Sequence, residues 1–75
     1  MRVYFHLVSW DDVVPDNTGI EVPDVLTAQQ EAVRAIQELR QDADLSPEVW
    51  SGWQLEAVDV NSNVLFSIPL DAKLN

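Results

Sequence analysis

Cysteine is absent from the chain, so a disulfide framework, thiolate metal ligands and a cysteine nucleophile are all excluded. There is one histidine, His6, which rules out any multi-histidine metal site. Two glycines are too few for a glycine-rich phosphate cradle, and neither a nucleophile elbow nor an HExxH pattern occurs. Bases are scarce: Arg2, Arg34, Arg40 and Lys73 stand against thirteen acids, for a net charge of -9. That balance argues against direct contact with nucleic acid or an anionic membrane surface. Long apolar runs are missing too. The opening MRVYFHL meets Ser9 and then Asp11-Asp12, too early for a signal peptide or a membrane span. A soluble cytoplasmic protein is the expectation. What is present is 75 residues, 47% hydrophobic and 23% charged, which reads as one small globular domain over residues 1–75. Its ordered core is expected at about residues 2–70, with 71–75 a loose tail.

Periodicity predicts two strands, one helix, then two strands. Arg2 to Trp10 is rich in β-branched and aromatic residues and forms the first strand. Alternation sets Val3, Phe5 and Leu7 on one face and Tyr4, His6, Val8 and Trp10 on the other. Both faces are largely apolar, which fits a strand that is central in the sheet or covered by a partner. Val13 to Gly19 reads as a connection with a turn around Asp16, and Gly19–Val22 as the second strand, stopped by Pro23. Asp24 is placed to cap a helix, with a start at Thr27 as the alternative. The three-four spacing of Val25, Ala28, Ala32, Ala35, Ile36 and Leu39 makes one buried stripe, ending near Gln41 to Ala43. Ser46-Pro47-Glu48 suggests a single helical turn through Trp50. Trp53 to Val60 and Val64 to Pro69 are the last two strands, joined by a tight hairpin at Asn61-Ser62-Asn63 in which asparagine takes the left-handed conformation. The fold class is therefore α+β, a small ββαββ domain whose antiparallel sheet carries one helix on one face. The expected core is Val3, Phe5, Leu7, Ile20, Val25, Ala28, Ala32, Ile36, Leu39, Leu55, Phe66 and Ile68.

One helix about 10 Å across roofs about two strands of a sheet roughly 15–20 Å wide. Apolar residues nevertheless point to both faces, and Trp50 and Trp53 come from the connector. The surplus marks a candidate interaction face at Tyr4, His6, Val8, Trp10 and Leu65. The competing reading has the connector fold over that face and seal it. Other constellations have plainer explanations. His6 lacks a local partner for base catalysis and reads as a hydrogen-bonded strand histidine. Asp59-Val60-Asn61-Ser62-Asn63 begins like a calcium loop but has Val64 and Leu70 where glycine and glutamate belong, so it is a turn. Asp11, Asp12 and Asp16 read as a solvated turn. No catalytic, metal-binding or cofactor-binding residue is assigned, and no cofactor is expected.

Val3-Tyr4-Phe5-His6-Leu7, followed by Pro15-Asp16 and Gly19-Ile20-Glu21-Val22-Pro23-Asp24, resembles a bacterial family known only as domain of unknown function 6894. The likeness continues through Glu31-Ala32-Val33 in the helix and Val64-Leu65-Phe66-Ser67-Ile68-Pro69-Leu70 in the last strand. It implies a small α+β domain in a bacterial cytoplasm and carries no catalytic residue or ligand with it. The leading expectation is a non-enzymatic protein-interaction or self-association module, with an unknown protein partner or a homo-oligomer. The alternative is an acidic inhibitor or antitoxin-like protein that occludes a partner's basic, nucleic-acid-binding surface.

Overall fold

A computed structural model describes residues 1–41 and 50–72. The elements follow in the order β1 (Arg2–Val8), β2 (Val13–Val14), β3 (Ile20–Glu21), α1 (Val25–Arg40), β4 (Gln54–Val58) and β5 (Val64–Pro69). Every strand pair is antiparallel. The sheet runs β2-β1-β4-β5, and β3 shares the outer side of β1 with β2. The result is a small α+β domain with an open five-stranded sheet and, among the described residues, one helix. β1 occupies the interior position that its two apolar faces call for.

Several boundaries differ from expectation, among them the strand expected over Gly19–Val22, which is reduced to Ile20–Glu21. β1 stops at Val8 because Ser9 N–H bonds the Asp12 carbonyl at 2.8 Å, closing a hairpin with Trp10 at its tip. The two residues after that turn pair back as β2, so three strands precede the helix rather than two. β4 spans Gln54–Val58, shorter at both ends than the apolar pattern suggested. The expected turn through Trp50 falls mostly outside the described residues. Of the expected loose tail, Ala72 is tied down: its N–H bonds the Pro69 carbonyl and its carbonyl accepts from Arg40 Nη1 at 2.7 Å.

Asp24 caps α1, its Oδ1 accepting from Thr27 N–H at 2.8 Å, which fixes the start before Val25 and excludes the later one. The buried stripe is Ala28, Ala32 and Ile36: two alanines that let the helix lie close over the sheet, and one large side chain that fills the core with Leu55. Val25 is exposed instead, and Leu39 is only half-buried. Two clusters make the core. Val3, Val22, Ala28 and Ala57 form one; Ala32, Ile36, Leu55 and Leu70 form the other. Phe5 and Phe66 pack against both. Trp50 and Trp53 also join the second cluster, on the helix side of the sheet. Arg40 lies 5.4 Å over the Trp50 ring, so the end of the helix and the tryptophan hold each other.

Candidate interaction face

The face of the sheet away from α1 can be read from the strand register. Tyr4 faces Val58, His6 faces Glu56 and Val8 faces Gln54; Glu56 and Gln54 in turn face Ser67 and Pro69. The central strand is apolar on this side, but its neighbour contributes a glutamine and a glutamate. The surface is therefore mixed, not the continuous apolar layer expected from β1 alone. Neither Trp50 nor Trp53 covers it.

Part of this face is engaged by the chain itself. Continued from the Leu7–Val14 pairing, the β1–β2 register would put Thr18 opposite Val3; Ile20 is found there instead. Two extra residues must therefore be absorbed between β2 and β3, and Pro15 to Gly19 does so by leaving the ladder. The gap this opens in the hydrogen bonding of β1 is filled by Asp16. Its Oδ2 accepts the Phe5 N–H at 3.1 Å, and its Oδ1 accepts from Thr18 N–H at 3.0 Å and Gly19 N–H at 3.1 Å. The Asp16 N–H donates to His6 Nδ1 at 2.9 Å. An accepting Nδ1 carries no proton, so the neutral ring holds its hydrogen on Nε2. Tyr4 closes the unit: a Cβ at position 19 would sit 2.9 Å from Tyr4 Cε1 and 3.1 Å from the Val3 carbonyl oxygen, and Gly19 has φ +74°. Only glycine combines that conformation with that contact.

Burial alone would raise the Asp16 carboxyl pKa, but the backbone bonds from Thr18, Gly19 and Phe5 outweigh it and hold the group below its ordinary value. Tyr4, Phe5, His6, Asp16 and Gly19, five of the residues that carry the family likeness, thus form one interlocked structural unit. The turn at Asp16 was readable locally. Its bond to Phe5, eleven residues away, was not.

Trp10 belongs to a different part of the surface. Because the strand ends at Val8, it stands on the hairpin tip and not on the sheet, and it is 92% exposed. Beside it Val13 is 53% and Val14 50% exposed. Val8 pairs with Val13 and shares its face. Leu65 departs further from expectation: it packs against the cluster of Val3, Val22, Ala28 and Ala57. The register shifts between Ala57 and Val58, so strict alternation does not carry through β5 to that position. The interaction candidates therefore separate into Tyr4 and His6, committed to the Asp16 unit; Leu65, packed on the core; and, at one corner, exposed Trp10 with half-buried Val8.

The two acidic motifs behave as turns. Asp59 Oδ1 accepts from Asn61 N–H and Asn63 N–H, both at 2.9 Å, and these bonds, led by Asn63, hold its pKa low. The left-handed residue of this hairpin is Ser62, φ 66°, where an asparagine had been expected. Asp12 Oδ1 accepts its neighbour's N–H, that of Val13, at 2.8 Å, and Asp11 accepts from Ser9 Oγ. Among the described residues no cluster of three acidic or histidine side chains is placed to hold a metal ion. A shallow groove of about 310 Å³ lies between α1 and the β3 side, floored by Phe5 and Ile20 and rimmed by Glu31, Arg34 and Glu38. Arg34 is paired there with both glutamates, at 3.9 and 3.7 Å. No described helix is long and apolar enough to cross a membrane.

The family model described as a domain of unknown function, DUF6894, matches residues 2–71, and the chain belongs to that family. No curated protein and no solved structure matches it.

Proposed function

We propose that this DUF6894 protein is a non-enzymatic protein-interaction module that meets its partner through the Trp10 hairpin tip, with Val8 and Val13 beside it. The observation that carries the reading is Trp10 at 92% exposure on a turn closed by the Ser9 N–H bond to the Asp12 carbonyl. An indole left in water forgoes roughly 4 kcal/mol of transfer free energy that a partner's pocket would return. Tryptophan is also the side chain most often found at the energetic centre of protein interfaces. The same reading leaves His6 without a catalytic role, since its Nδ1 is occupied by a backbone donor. The partner is a protein and not nucleic acid or a membrane, because the chain carries a net charge of -9.

Exposed Asp11 and Asp12 next to Trp10 favour a second version of this reading, in which the tip enters a basic surface and occludes it. Salt separates the two. An apolar contact survives about 0.5 M salt, whereas a charge-led one is lost. In either case Trp10→Ala should weaken capture of the native partner at least about tenfold while the melting temperature holds. Equal capture by the variant and the wild type would remove Trp10 from the interface and the proposal with it.

A further inference from the structure

The two sides of the sheet end differently, and the difference points to a second contact surface. On the β2 side, Ser9 and Asp12 form a hydrogen-bonded pair, so the next pair, Val8 and Val13, turns the backbone of Val13 outward. That outward N–H is already taken by Asp12 Oδ1, and the next outward position is Pro15, which has no N–H. No strand can add there. On the other side, Leu70 N–H bonds the Trp53 carbonyl at 2.9 Å. Alternation from that pair sets Ile68 and Phe66 toward β4 and turns the N–H and carbonyl of Ser67 outward. Among the described residues nothing pairs with this edge.

We propose that the β5 edge pairs with the β5 edge of a second copy of this chain, antiparallel about a two-fold axis, to form one continuous sheet. Charge selects the occupant. Val60 to Leu70 carries no charged side chain, in a molecule of net charge -9. Two such molecules repel each other least where both present a neutral edge. The nearest acid on the sheet, Glu56, lies one strand in, so its copy across the joint is three strand spacings away. That is about 14 Å, beyond the ~10 Å screening length at 0.1 M salt. Of the two acids that bound the run, Asp59 is folded back onto its own turn, and exposed Asp71 lies in the turn past the strand, closed by the Ala72 N–H bond to the Pro69 carbonyl. Val64, 56% exposed, and half-buried Phe66 would lose water on pairing. Pro69 at the outward position after Ser67 limits the joint to a few residues, so the association is weak.

The test is sedimentation of the full chain from about 10 μM to about 1 mM, in low salt and in ~0.5 M salt. The wild type should move from 8.5 kDa toward twice that mass as concentration rises, and further at the higher salt, which screens the net repulsion. Ser67→Pro removes only an outward donor, so it should keep the fold and remain monomeric. Trp10→Ala should dimerise like the wild type, which separates this proposal from the hairpin-tip contact. Amide exchange at Ser67, slowing as the concentration of the unaltered chain is raised, reads the same joint without a variant. A wild type monomeric at every concentration and salt, a folded Ser67→Pro that still dimerises, or a Ser67 amide whose exchange ignores concentration would each overturn it.

Discussion

The two outer sides of this sheet solve the same problem with different means. Beyond β1 the chain offers only four paired residues, in two short strands that are two residues out of register with each other, and a carboxylate bridges the interruption. Beyond β4 it offers one strand of six residues, held by a hairpin whose own carboxylate bonds only within its turn. Asp16 and Asp59 are thus chemically alike and structurally unlike. Asp16 ties together segments eleven residues apart, whereas Asp59 reaches no further than four. Acid-rich composition serves solubility, but here individual acids also stand in for missing backbone partners.

Removing each carboxylate should separate the two sides sharply. Asp16→Ala strips acceptors from three backbone N–H groups and releases the Pro15–Gly19 segment from β1. The expected loss is about 2 kcal/mol, or about 10 °C in Tm for a domain of this size, measured by thermal or urea unfolding. Asp59→Ala disturbs only a local turn and should fall well short of that. Equal losses would mean that the long-range bridge contributes nothing beyond its turn.

A smaller effect lies in the pH dependence. The Asp16 carboxyl is held below the ordinary 3.8, so its contribution is complete above that value and disappears as the pH falls through its lower folded value. The gap in Tm between wild type and Asp16→Ala should therefore stay constant from about pH 7 to about pH 5 and narrow on acidification below 3.8. Comparing two proteins cancels the general relief of negative repulsion at low pH. A gap that widened in acid would contradict the sign of the shift.

What the sequence revealed follows the range of the interaction that decides each feature. The helix and its Asp24 cap, the β5 limits and the turn at Asp59 depend on neighbours within a few residues, and all were readable. The apolar stripe Ala28, Ala32 and Ile36 was readable for the same reason. β2 was not, because two valines before a proline have no periodicity of their own and pair only once the Ser9–Asp12 turn closes. The candidate face was half legible. Trp10 is exposed as its place in the sequence suggests, but on a hairpin tip and not on the sheet; the ties of Tyr4 and His6 to Gly19 and Asp16 are long-range and leave no local signal. Gln54 and Glu56 share that face only through the register with β1, which no local pattern reveals.

The account rests on the claim that one side of the sheet is closed by a side chain and the other is open. Amide-resolved hydrogen exchange on dilute wild-type protein measures this directly. Phe5, whose N–H faces no strand but meets Asp16, should be protected like a ladder amide, and Ser67 should exchange rapidly. Fast exchange at Phe5 together with protection at Ser67 in the dilute monomer would contradict it.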